Sequence, residues 1–143
     1  MRKRISVNDL SYTGGIIDGE GSICIRKSKS QKTQRGYLLE LDVKVSNTNE
    51  WLIRWLHFSY GGSVCKRMGK GNERDYWQWA VQTNQALKFL QLIAPYLKIK
   101  KPQAELAIIF GVKRRVGKKK TETEIAIEEA QRITMLSYNR RGK

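Results

Sequence analysis

The sequence has few of the residues that build zinc sites or disulfide frameworks. Its 143 residues include two cysteines, Cys24 and Cys65, which form no C-x-x-C pair, and a single histidine, His57. We therefore predict neither a zinc site nor a disulfide scaffold. The lack of a disulfide framework favours a reducing, intracellular setting.

Long apolar runs and acidic residues are also scarce. No stretch of about 18 apolar residues exists, so no membrane-spanning helix is predicted. The basic residues 1–4 lead into Asn8 and Asp9 rather than into the apolar core of a signal peptide. Thirteen acids face 28 Lys and Arg, which gives a net charge of +15. This excess favours a polyanionic partner, nucleic acid first and an anionic membrane second, with plain solubility charge as the alternative.

Apolar residues alternate between helical spacing and the period of two that is typical of strands. The predicted elements are a helix over 8–19 with Asn8 as its N-cap, strands over 23–28 and 39–45, a helix opened by an Asn47–Glu50 capping box and ended by Gly61, strands around Val64 and over 76–81, and helices over 84–94, 102–112 and 121–135. This α-β-β-α-β-β-α-α-α order predicts one α+β domain over residues 1–143. Its four-stranded antiparallel sheet would be covered by helices on one face.

The other face of this sheet is predicted to be polar and basic. Its strands would present Ser22, Arg26, Ser28, Lys44, Lys66, Arg74 and Gln78. A twisted antiparallel ribbon of this kind fits the major groove of DNA, whereas the alternative is an ordinary solvated sheet face. Residues 113–120, of which six are basic, are predicted to form an exposed loop.

Two glycines and two acids stand at the end of the first helix. Gly14 and Gly15 each cost a helix about 1 kcal/mol relative to alanine, which predicts a close approach by another backbone, most simply a second helix. Asp18 and Glu20 follow at the predicted DNA-binding face. Because phosphate repels a carboxylate unless a cation lies between them, this arrangement predicts a hard divalent ion that assists phosphodiester hydrolysis.

The segment Thr13 to Gly21, TGGIIDGEG, resembles the LAGLIDADG motif of homing endonucleases. It matches at Gly15, Ile17, Asp18 and Gly21, has a common variant at Gly19 and a conservative acid at Glu20, and departs at Thr13 and Gly14. The element order, the basic strands and residues 94–100 extend the resemblance over nearly the whole chain, to the single-motif homodimeric members. The resemblance implies the LAGLIDADG endonuclease fold and site-specific cleavage of a long pseudo-palindromic DNA with Mg²⁺ or Mn²⁺. Ca²⁺ would support binding without efficient cleavage.

The resemblance also implies roles for individual residues. Glu20 and the backbone oxygen of Gly19 would bind metal, Asn47 would organise catalytic water, and Lys98 would lie near the scissile phosphate, with Lys100 as its alternative. Gly14, Gly15 and Asp18 are assigned to a dimer interface. The residues assigned to DNA contacts are Ser22, Cys24, Arg26, Ser28, Ser30, Lys32, Leu38, Glu40, Asp42, Lys44, Lys66, Met68, Lys70, Arg74, Tyr76, Gln78, Lys118, Lys119 and Lys120.

Two other functions fit the same sequence: an RNA-binding intron maturase and a catalytically silent DNA-binding module. An intact Glu20 and Lys98 favour retained cleavage. A basic ribosome-associated protein would not explain the glycine pair before the acids. The expected partners are double-stranded DNA, a second copy of the chain and, as a further candidate, its own intron RNA, with no membrane. The expected location is a chloroplast, a mitochondrion, or a prokaryotic or phage cytoplasm.

Overall fold

The computed structural model describes residues 4–33, 35–113 and 120–141. Its elements are α1 (Val7–Glu20), β1 (Gly21–Lys29), β2 (Tyr37–Asn47), α2 (Glu50–Tyr60), β3 (Ser63–Arg67), β4 (Tyr76–Gln82), α3 (Thr83–Ile93), a 3₁₀ turn (Ala94–Tyr96), α4 (Lys101–Lys113) and α5 (Glu122–Arg141). The predicted α+β order is confirmed, although α5 continues past its predicted end at residue 135. No helix in these ranges is both long and apolar enough to cross a membrane.

The starts of two helices differ from the prediction. Ser6, not Asn8, caps α1, because its Oγ accepts a hydrogen bond from the Asp9 amide at 3.1 Å. Asn49 caps α2 by accepting from the Leu52 amide at 3.3 Å, so the predicted Asn47–Glu50 capping box is wrong. Asn47 is instead the last residue of β2, where its amide nitrogen remains available for another partner.

The four strands form one antiparallel sheet in the order β1-β2-β4-β3. Strand β1 pairs with β2 so that Ile23 lies opposite Val43 and Ile25 opposite Leu41. These four side chains are buried together with Trp79 of β4. Because side chains alternate along a strand, this register places the polar side chains of β1 and β2 on the opposite face.

The register of β3 corrects the predicted placement of Lys66. Lys66 lies opposite Trp77, and Val64 lies opposite the buried Trp79, so both β3 side chains are on the face that the helices cover. The Lys66 ammonium lies 5.9 Å from the Trp77 ring centroid. The polar face is instead reached by Arg67, the residue beside it. Val64 gave the signal in the sequence, because residues two apart on a strand share a face.

Candidate acidic site and nucleic-acid interface

The acid that ends α1 is held by the amide that ends β2. The Nδ2 atom of Asn47 donates to Oε2 of Glu20 at 2.6 Å, while Oδ1 of Asn47 accepts from the Asn49 amide at 2.7 Å. Both functional atoms of the Asn47 side chain are therefore fixed. Glu20 is exposed, and within the described ranges no basic side chain pairs with it. Its charge is thus oriented but not neutralised by any described residue.

The residues at the junction of α1 and β1 provide some of the oxygen ligands that a hard divalent cation needs. The exposed Glu20 carboxylate follows Gly19, whose backbone is also exposed. In the part of the chain that the structure describes, no three His, Cys, Asp or Glu residues come together as a metal cage. One carboxylate with a backbone oxygen is the kind of partial site that Mg²⁺ completes with phosphate oxygens and water.

Asp18 fixes the segment that carries Lys98. Its carboxylate accepts hydrogen bonds from the backbone amides of Lys98 at 2.8 Å, Ile99 at 3.2 Å and Lys100 at 2.9 Å. Burial alone would raise the pKa of Asp18, but these hydrogen bonds and the Lys100 ammonium outweigh burial and lower that pKa. Asp18 was also predicted to lie at a dimer interface, and its carboxylate binds residues 98–100 of its own chain.

The two lysines that the sequence left as alternatives have different surroundings. Lys100 Nζ donates to the carbonyl oxygens of Ile17 at 3.1 Å and Asp18 at 2.9 Å, so it caps the C-terminal end of α1. Lys98 is exposed, and its ammonium has no hydrogen-bond or ion-pair partner among the described residues. Lys98 is thus the one of the two that can reach a phosphate.

The glycine pair of α1 divides between two surfaces. A Cβ added at Gly14 would lie 2.6 Å from the Tyr96 carbonyl oxygen, so this glycine admits the 3₁₀ turn of its own chain. The assignment of Gly14 to a dimer interface is therefore corrected: the close approach that its lack of a side chain permits is intramolecular. Gly15 is exposed and has nothing within 4 Å of its added Cβ.

An aromatic surface beside Gly15 was not predicted as functional. Tyr12 of α1 and Trp51 of α2 are 52% and 65% exposed, and both rings contact Trp55. The Tyr12 and Trp55 centroids lie 5.5 Å apart and those of Trp51 and Trp55 6.3 Å apart. The sequence showed these residues only as part of helical spacing, and the contact between α1 and α2 that brings them together is long-range.

Polar pairs organise the sheet face around β1 and β2. Arg26 and Glu40, which lie opposite each other, form a salt bridge of 3.1 Å. Asp42 is 3% exposed and holds Lys44 Nζ at 3.3 Å and Gln82 Nε2 at 3.4 Å. Asp42 was predicted to contact DNA, but its buried carboxylate orients two exposed neighbours instead. Ser22, Cys24, Ser28 and Leu38 lie on this face by register.

The second hairpin contributes one basic residue to the polar face that was not predicted from the sequence, Arg67. Arg67 Nε donates to Oε1 of Gln78 at 3.0 Å, and Arg67 lies opposite Tyr76 on the polar face. The connections between strands contain Ser30 and Lys32 in one hairpin, and Met68, Lys70 and Arg74 in the other.

The predicted basic loop, residues 113–120, is described only at its two ends, and Lys113 is the last residue of α4 rather than part of a loop. Lys118 and Lys119 lie outside the described residues. Lys120 was predicted as an exposed phosphate contact, but its side chain is 14% exposed and its ammonium pairs with Glu128 at 2.5 Å. That part of the prediction is wrong, because α5 supplies a carboxylate for this lysine within the chain.

Comparisons with known proteins identify the family and the fold. A sequence model of the LAGLIDADG endonuclease family matches residues 14–105. The homing endonuclease I-CvuI, solved with its target and Ca, is 16% identical with a TM-score of 0.75, over 90% of this chain and 80% of that chain. The archaeal intron-encoded homing endonuclease I-Vdi141I, solved with DNA, is 16% identical with a TM-score of 0.75. The match covers 90% of this chain and 82% of that chain. The homing endonuclease I-LtrWI, solved bound to target DNA, is 18% identical with a TM-score of 0.67. The match covers 92% of this chain but 45% of that chain. No curated protein matches by sequence.

Proposed function

The chain belongs to the LAGLIDADG endonuclease family, and on that premise we propose that it is a homodimeric, metal-dependent endonuclease that cuts both strands of a near-palindromic DNA site. The observation that carries this proposal is the exposed Glu20 carboxylate, oriented by Asn47 at the edge of a polar sheet face. Only one of the Glu20 oxygens has a partner among the described residues, which leaves the other available to a ligand and supports a role in chemistry.

Oxygen donors of the chain would hold the divalent cation. The Glu20 carboxylate and the Gly19 carbonyl are the candidate ligands, and DNA would supply further oxygens. When bound, such an ion activates water and offsets charge on the phosphate. Mg²⁺ is the proposed ion, with Mn²⁺ as a substitute. Ca²⁺ is proposed to support binding without efficient cleavage, and I-CvuI was solved with its target in the presence of Ca.

The chain's own side chains have separate tasks in this proposal. Asn47 holds the Glu20 carboxylate and keeps its charge turned toward the DNA. Lys98 offsets the negative charge that develops on the scissile phosphate, because a fixed cation costs no reorganisation at the moment of reaction. Asp18 positions Lys98 through the backbone of residues 98–100.

A second copy of the chain would complete the enzyme. A double-strand break requires chemistry on two antiparallel strands, and the chain has one such acid motif. An isologous pair about a two-fold axis supplies a second Glu20 and makes the preferred site a near-palindrome. The exposed face of α1 at Gly15 and the aromatic surface of Tyr12, Trp51 and Trp55 are the proposed contact. I-LtrWI, of which this chain covers 45%, has the length for two such units.

The polar sheet face is proposed to read the DNA sequence in the major groove. Arg26 can donate to guanine edges and Gln78 to adenine edges. Their partners Glu40 and Arg67 hold them in place before DNA binds. The net charge of +15 supplies attraction to phosphate that does not depend on sequence.

A cleavage selection tests the proposal. The protein is incubated with a randomised double-stranded DNA library and Mg²⁺, and the cut ends are sequenced. We expect a near-palindromic consensus with cuts on both strands. Binding without cleavage would favour the silent DNA-binding module, and preference for structured RNA over duplex DNA would favour the maturase.

A further inference from the structure

Helix α5 covers the free edge of β1 from the acidic site to the tip of the first hairpin. Strand β1 is at the edge of the sheet, and Asn139 Nδ2 donates to the outward carbonyl of Ile23 at 3.1 Å. At the other end, Glu128 and Glu129 contact Arg35 and Tyr37. The helix rises about 15 Å over ten residues, and six residues of β1 span about 20 Å. The two lengths match once the side chains are included.

The contacts at the hairpin tip are unusually well buried for a surface loop. The Arg35 and Glu128 side chains are each 10% exposed, and Arg35 Nη2 lies 3.0 Å from Glu128 Oε1. The other oxygen of Glu128 holds Lys120 at 2.5 Å. A buried pair of this kind fixes geometry, because removal of either partner leaves an uncompensated charge.

Tyr37 gives the tip a second anchor. Its hydroxyl donates to Glu129, which also accepts from Arg132 at 3.3 Å. The hydroxyl hydrogen bond is the largest cause that lowers the pKa of Glu129, so this carboxylate stays ionised. Lys27 Nζ and the Arg35 guanidinium lie 4.1 and 4.7 Å from the centroid of the Tyr37 ring. One ring thus joins both strands of the hairpin to α5.

We propose that Glu128 and Glu129 are positioning residues that set the angle of the β1–β2 hairpin tip and thereby the specificity for the outermost base pairs of each half-site. The inference rests on the proposed function. The nine residues of β1 separate the tip from Glu20, which corresponds to about 30 Å at the rise per residue of a strand. The tip carries Ser28, Ser30 and Lys32. A hairpin held at one end only by its sheet would sample several angles, and each base contact at the tip would weaken.

The test compares base preference along the site for matched variants. Glu128→Ala/Glu129→Ala removes both carboxylates, and with them both anchors and two charges. Glu105→Ala/Glu122→Ala removes two exposed charges that form no hydrogen bond or ion pair with the described residues of the hairpin. We expect the first variant to lose about tenfold discrimination between the preferred and the wrong base at each outer base pair. Its base preference at the central positions, and its single-turnover cleavage rate on the best site, should stay within about twofold of wild type. The control should match wild type.

Tyr37→Phe is the milder variant if the double variant does not fold. It deletes the hydroxyl and keeps the ring near Lys27 and Arg35. It should therefore give a smaller loss of base discrimination at the same outer positions. Its loss of base discrimination should not add to that of Glu129→Ala, since the two substitutions remove the same hydrogen bond. Amide exchange of residues 30–37 without DNA should also speed up in both variants.

Two outcomes would overturn the inference: unchanged outer preference in the variants, or an equal loss at every position, which would indicate general destabilisation. A wild-type protein with no sequence preference would instead overturn the proposed function. The exchange experiment still tests the anchors in that case, because unchanged exchange at residues 30–37 would show that α5 does not hold the tip.

Discussion

Glu20 and Asn47 are joined by a 2.6 Å hydrogen bond between the last residue of α1 and the last residue of β2. The bond links two segments that are 27 positions apart in the sequence. Because Asn47 also accepts from the Asn49 amide, the amide plane is fixed from both sides. The exposed acid is therefore held in a defined orientation, which is what a partial metal site requires.

The two lysines near the end of α1 should separate catalysis from stability. Lys98→Ala is expected to slow single-turnover cleavage by about a hundredfold, because a cation near the phosphate is lost, with little change in unfolding. Lys100→Ala should lower the free energy of unfolding by about 1 kcal/mol, since it removes the cap on α1. Urea unfolding and cleavage assays on both variants check this. Equal stability losses would contradict the assignment.

Asp18 should make stability depend on pH. The folded-state pKa is lowered, so the contribution of Asp18 is present above the unfolded-state pKa of about 3.9 and is lost as pH falls through the folded value. Asp18→Asn should therefore be less stable than wild type at pH 7, and the difference should shrink as the pH falls below about 4. Urea titrations across that range measure it, and a constant difference would refute the linkage.

The glycine pair predicts two different defects. Gly14→Ala should destabilise the fold by about 1–3 kcal/mol, because the new methyl group meets the Tyr96 backbone. Gly15→Leu should leave the chain folded and weaken dimerisation and cleavage together. Thermal unfolding and light scattering separate the two effects. A dimeric, active Gly15→Leu protein would place the interface elsewhere.

The register of β3 predicts which of two neighbouring basic residues reads DNA. Arg67→Ala should relax base preference at about one or two positions per half-site by about 1–3 kcal/mol each. Lys66→Ala, which removes equal charge from the other face, should weaken binding to all sequences slightly and alike. Site selection on both variants distinguishes them. The reverse pattern would contradict the register.

Local patterns predicted the order of elements, because strand alternation and helical spacing are set by neighbouring residues. The family resemblance, rather than these patterns, singled out Glu20, Asn47 and Lys98, and the structure joins the first two through a hydrogen bond. Contacts between distant segments could not be obtained in this way. Gly14 meets Tyr96, Lys120 pairs with Glu128, and α5 anchors the first hairpin only once the helices are packed.

The misplacement of Lys66 has a different origin. Lys66 was assigned to the polar face although Val64, two residues earlier on the same strand, indicates the opposite face by alternation. A strand of five residues has too few apolar positions to make its register evident.

The most direct test of the account compares wild type with Glu20→Gln on the selected DNA site in Mg²⁺. Glutamine keeps an oxygen that can accept from Asn47, so the substitution removes the charge with little change in shape. We predict that wild type cuts both strands, and that Glu20→Gln binds the site with affinity within about threefold, because phosphate and groove contacts lie elsewhere, yet shows no single-turnover cleavage. Cleavage by Glu20→Gln at the wild-type rate would contradict the central claim.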